Sequence, residues 1–85
     1  MTKPYEPISC ELYSIFEVTI LHGEALRVSW RAARGMHRVE TLFPEDLRTR
    51  RHAEYMIART REGARRVLRL DRIVDAQVIR PPAGV

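Results

Sequence analysis

The apolar residues of this chain change their spacing once, at Gly23, and that change limits what the chain can fold into. Before it, Leu12, Tyr13, Ile15, Phe16, Ile20 and Leu21 recur at intervals of three and four, the period of one helix face. After it, Leu26, Val28 and Trp30 alternate with Arg27, Ser29 and Arg31, the period of a half-buried strand. Ser9 is a good N-cap, and Glu11 follows in the first turn, where the helix dipole favours an acid. Gly23, after His22, can take the left-handed conformation that stops a helix. The spacing predicts one helix from Cys10 to about Leu21, although the β-branched run Val18-Thr19-Ile20 is a poor helix former at its end.

The remainder reads as short strands. Ala32 to Gly35 is a turn. Val39, Thr41 and Phe43 alternate with Arg38, Glu40 and Leu42 in a second strand, which Pro44 ends or kinks. Leu47 to Thr49 is a candidate third strand, and Arg50-Arg51-His52 a loop tip. Glu54 to Thr60 is a strand with Tyr55 and Ile57 on one face, and Arg61 to Ala64 a hairpin turn. Arg65 to Leu70 returns with Leu68 and Leu70 inward, and Asp71-Arg72-Ile73 makes one helical turn. Ala76 to Ile79 is the last strand, and Pro81-Pro82 ends the order. The expected fold class is mainly β (α+β), a helix on a small barrel of five or six strands. Closure of this kind removes exposed sheet edges. We expect one domain over 1–85: an extended arm 1–9, a helix 10–22, a barrel 25–79 and a flexible tail 80–85.

Composition excludes several function classes. No apolar run approaches the roughly 20 residues a membrane-spanning helix needs, and the first residues show no apolar leader pattern. One cysteine, Cys10, allows no internal disulfide and reads as a small, partly buried core thiol in a reducing cytoplasm. His22, His37 and His52 fall in three separate turns without partners at metal-ligand spacing. Phosphate-binding loops, dinucleotide fingerprints and nucleophile elbows are missing. The expectation is a binding protein, not an enzyme, with no cofactor and no metal, monomeric and cytoplasmic.

The net charge of +4 is unevenly spread. Residues 1–24 hold one Lys against four Glu, while residues 25–85 hold 14 Arg against seven acids. The Arg-rich body allows a nucleic-acid face. The plainer reading is a solvated basic surface over a core that includes Trp30, Phe43 and Tyr55. On the helix, Glu11, Ser14 and Glu17 lie at i, i+3 and i+6 beside Tyr13. Such a ridge can occupy a basic RNA-binding groove, carboxylates standing in for phosphates and the ring for a base. It also reads as the wet side of an amphipathic helix.

The run Tyr5-Glu6-Pro7-Ile8-Ser9-Cys10-Glu11-Leu12-Tyr13-Ser14-Ile15-Phe16-Glu17 resembles the opening of the Rho-binding antiterminators, the Rof family, at Tyr5, Pro7, Ile8, Cys10, Tyr13 and Glu17. Two further blocks are similar to that family: Asp46-Leu47-Arg48-Thr49-Arg50 with Glu54-Tyr55-Met56, and Leu68-Arg69-Leu70-Asp71-Arg72-Ile73. The resemblance implies an N-terminal helix packed on a small Sm-like or SH3-like barrel. It also implies a protein partner, the hexameric termination factor Rho, bound near its primary RNA-binding sites so that RNA is kept out and Rho-dependent termination is inhibited. By position, the implied contacts are Glu11, Tyr13, Ser14 and Glu17 on the helix with Arg50 and His52 on the loop. Ser14 stands where the family usually has Asp, and this chain is basic where better-known members are acidic. From Leu26 to Ile73 the chain also resembles WYL domains, Sm-like ligand-sensing modules of bacterial regulators. Direct RNA or DNA binding by the barrel remains an alternative.

Overall fold

The computed structural model describes residues 5–79. The start of the expected arm (1–4) and the expected tail (80–85) lie outside the described residues. Helix α1, Cys10–His22, begins where Ser9 Oγ accepts the Leu12 N–H at 3.2 Å. It stops at Gly23, whose φ of 65° turns its N–H back to Ile20 O at 3.1 Å. Both ends follow the capping residues read from the sequence.

Five strands follow: β1 Ala25–Arg31, β2 His37–Arg50, β3 Ala53–Arg59, β4 Arg65–Arg69 and β5 Ile73–Ile79. They form one antiparallel sheet in the order β4-β3-β2-β1-β5. The two edge strands, β4 and β5, are consecutive in the chain and joined only by the 3-10 turn Leu70–Arg72. A flat five-stranded sheet would hold them about 19 Å apart at about 4.8 Å per strand. Four extended residue steps reach at most about 14 Å. The sheet must therefore curl toward a barrel, the small α+β architecture expected.

The second and third expected strands are one. Residues 37–42 pair with β1 and residues 43–50 pair with β3, with a bulge between Pro44 and Asp46. The bulge absorbs the proline's missing N–H and bends the strand instead of ending it. The tip Arg51-His52 is a two-residue hairpin with both residues left-handed, at φ 50° and 65°.

The core is Phe16 from α1 against Leu26, Val28, Trp30, Leu42, Met56, Ala58, Leu68 and Leu70. Several sequence expectations are corrected here. In β2 the buried phase is Leu42 and Pro44, so Phe43 is 40% exposed and Val39 54%. In β3, Met56 and Ala58 fill the barrel. Ile57, on the opposite phase, is also buried, and Tyr55 is half-buried. Apolar residues occupy both phases of these strands, so alternation alone does not choose a face. Cys10, expected in the core, is exposed on the first turn of α1. The helical stripe is narrower than expected. Phe16 and Thr19 are buried, and Thr19 satisfies its hydroxyl on Ile15 O at 2.6 Å, while Ile15, Val18 and Leu21 are exposed. Among the described residues, no helix is long and apolar enough to cross a membrane.

Candidate functional site

Pro7 and the Ser9 cap hold the arm extended until α1 begins, and this brings Tyr5 over the ends of β3 and β4. The Tyr5 hydroxyl donates to Glu54 Oε1 at 3.1 Å, and the Arg69 guanidinium lies 5.4 Å from the centre of the Tyr5 ring. Arg69 Nε meets Asp71 Oδ1 at 2.9 Å, both side chains being only 12–13% exposed, and the Glu6 N–H donates to Asp71 Oδ2 at 3.1 Å. Burial first, then the hydrogen bond to the Glu54 carboxylate, holds the Tyr5 phenol well above its ordinary pKa. Tyr5, Glu54 and the Arg69–Asp71 pair come from the three separate sequence blocks singled out above.

Beside this clasp, α1 faces the β2–β3 hairpin. Tyr13 is half-buried and packs against the core cluster. Its pKa is raised by burial, then by the carboxylates of Glu54, Glu17 and Asp46. Glu17 stands one turn further along the same ridge and is exposed. Asp46 sits just after the bulge, where its carboxylate accepts Arg48 Nε at 2.8 Å and the Leu47 N–H at 2.9 Å. The Arg48 hydrogen bond holds the Asp46 carboxyl below the usual carboxylate range. The result is a half-buried Tyr13 phenol on which the carboxylates of Glu54, Glu17 and Asp46 act electrostatically. That chemistry suits guanidinium and ammonium groups. Among the described residues, no three His, Cys, Asp or Glu side chains come together to hold a metal ion.

The other expected contact residues are placed differently. Successive i+3 steps turn about 60° round a helix. The Glu11–Ser14–Glu17 ridge is therefore slanted, and Glu11 lies on the flank away from Tyr13. Ser14 borders a shallow groove of about 220 Å³ with Ile15, Val18, Thr19 and Val78. Arg50 ends β2 opposite Ala53, His52 is in the hairpin tip, and both are exposed. No hydrogen bond or ion pair joins either to the helix. The structure thus brings Tyr13 and Glu17 together and adds Asp46, Glu54 and Tyr5, which periodicity could not place. Their only sequence signal was membership of the quoted blocks.

No family model matches the chain, and no curated protein matches it. The fold is shared with a solved structure of Proteasome accessory factor B/C (PafBC) of Arthrobacter aurescens, with a TM-score of 0.74 at 20% sequence identity. The match covers 93% of this chain and 13% of that one, so the chain spans about an eighth of the length of the protein it resembles. At this identity the likeness is one of fold.

Proposed function

We propose that the chain is a non-catalytic binding module whose working surface is the Tyr13–Glu17–Asp46–Glu54 patch between α1 and the β2–β3 hairpin. Its partner is a basic RNA-binding surface, and the resemblance of residues 5–17 names that partner as Rho, from which RNA is kept out. The observation that carries this reading is the helix ridge itself: Tyr13, half-buried against the core, with the exposed Glu17 one turn further along α1, and the carboxylates of Glu17, Asp46 and Glu54 all acting on the phenol. A ring with negative charge beside it offers a basic groove what a base between phosphates would offer. Attraction by overall charge plays no part, because the chain is basic.

Titrating the protein into Rho bound to labelled single-stranded RNA tests the reading. Displacement of RNA is expected, together with at least tenfold weaker displacement by Glu17→Lys, the change of one desolvated pair from attraction to repulsion being worth roughly that much or more. RNA binding by Rho that is untouched at saturating protein defeats the proposal.

A second reading has its own support. The stretch Leu26 to Ile73 resembles WYL domains, and its fold is shared with a segment of Proteasome accessory factor B/C. On that reading the chain is a ligand-sensing regulatory module. It predicts thermal stabilisation by small anionic ligands and no effect of Glu17→Lys on that shift.

A further inference from the structure

The face of the sheet turned away from the core carries an arrangement that the helix patch does not use. Arg27, Thr41 and Phe43 point outward, because their neighbours Leu26 and Leu42 are fully buried. Arg27 pairs with Thr41 across β1 and β2, and Phe43, Arg59 and Arg65 form one cross-strand row over β2, β3 and β4. The exposed Phe43 ring therefore lies on the open face with Arg side chains on both flanks. Where β2 leaves β3 to pair with β1, an open cleft of about 300 Å³ forms between Arg27, Glu40, Thr41, Thr60, Arg61 and Glu62.

The acids on this side are largely occupied. Glu45 holds Arg59 at 3.2 Å, and Glu40 holds Arg66 through two contacts of 3.0 and 3.4 Å. Glu62 at the turn and Asp75, opposite Ser29, carry no ion pair. Arg27, Arg61 and Arg65 have no ion-pair partner among the described residues, so three guanidinium groups without an ion pair share this side of the sheet with one exposed ring. The Thr60 hydroxyl oxygen accepts from the Ala64 N–H at 3.1 Å, which leaves its proton free to donate into the cleft.

We infer that this outer face binds single-stranded nucleic acid, with a base on the Phe43 ring and the flanking phosphates on Arg27, Arg61 and Arg65. An open aromatic ring among free cations is the platform on which unpaired bases stack. A duplex keeps its base faces inside and has nothing to lay on Phe43. The Arg residues span up to about 14 Å, three strand spacings. The inference does not depend on Rho, since the ring and cations lie on a different surface from Tyr13 and Glu17.

Fluorescence anisotropy with labelled oligouridine RNA and oligothymidine DNA of about twelve nucleotides, beside a DNA duplex of equal length, tests it without Rho present. Both single strands should saturate at low salt, the duplex should bind more weakly, and the tighter strand names RNA or DNA as the ligand. Three phosphate contacts give a slope of log affinity against log salt of about −2, flattened by about 0.7 for each of Arg27→Ala and Arg65→Ala. Phe43→Ala should weaken binding about tenfold, the loss of one stack. Phe43→Leu, which keeps the apolar bulk without the ring, should show the same loss if the alanine variant misfolds by circular dichroism. Glu17→Lys should leave binding unchanged, which separates this surface from the helix patch. The inference is overturned if no oligonucleotide saturates, if the duplex binds as tightly, or if neither Phe43 variant loses affinity. Displacement of the oligonucleotide by phosphatidylglycerol vesicles overturns it as well.

Discussion

Tyr5 is the residue that ties the arm to the barrel. Its hydroxyl donates to Glu54, and its ring lies under Arg69. Tyr5→Phe removes the hydrogen bond and keeps the ring, so it should cost about 1 kcal/mol in urea unfolding at neutral pH. The same phenol gives a pH dependence of known sign. Its folded pKa is raised above the unfolded value of about 10, so its contribution to stability is complete below pH ~10 and is lost as pH rises beyond it. Wild type should therefore lose more stability than Tyr5→Phe above that pH. Glu54 acts on both phenols, so Glu54→Gln should lower the ultraviolet titration midpoints of Tyr5 and Tyr13 together. At this scale the sequence was half legible. Tyr13 and Glu17 share a helix ridge, which spacing shows. Asp46 and Glu54 lie on two other segments, which only the fold brings to them. Cys10 and Phe43 were misplaced because an apolar type at an apolar phase is not yet a buried one.

The elements were more legible than their faces. Ser9, Gly23 and the hairpin residues marked α1 and most strand ends, because capping and turn chemistry are local. The long β2 was not legible, since Pro44 reads as a terminator and only a second partner strand makes the bulge worthwhile. The β2–β3 tip is the least comfortable local structure. Arg51 and His52 both sit at positive φ, where Asn-Gly is preferred. Replacing the pair by Asn-Gly should raise stability by about 1 kcal/mol, measured by urea unfolding. A loss instead would mean that the two side chains hold the hairpin through contacts not visible in its backbone. At the other cap, Ser9→Ala should cost about 1 kcal/mol by removing the oxygen that receives the Leu12 N–H.

The whole molecule rests on one small core. Phe16 is the only α1 side chain in its fully buried cluster, so Phe16→Ala should cost about 3–5 kcal/mol. Domains of this kind have only about 5–15 kcal/mol to lose, so thermal melting should show a variant near its limit at 37 °C or α1 detached from an intact sheet. The strand order of the curled sheet has a consequence for how the chain is made. Ala25 pairs with Ile79, and β1 receives its second neighbour only from β5. While the protein is being synthesised, four strands can fold early through neighbouring hairpins, but β1 keeps a bare row of N–H and C=O groups until residues 73–79 exist. That pairing is the most distant in sequence and should be the slowest to form. A chain stopped after Arg72 should therefore offer β1 to the β1 of another copy and elute as dimers or aggregates in size-exclusion chromatography to a greater extent than the chain that includes β5.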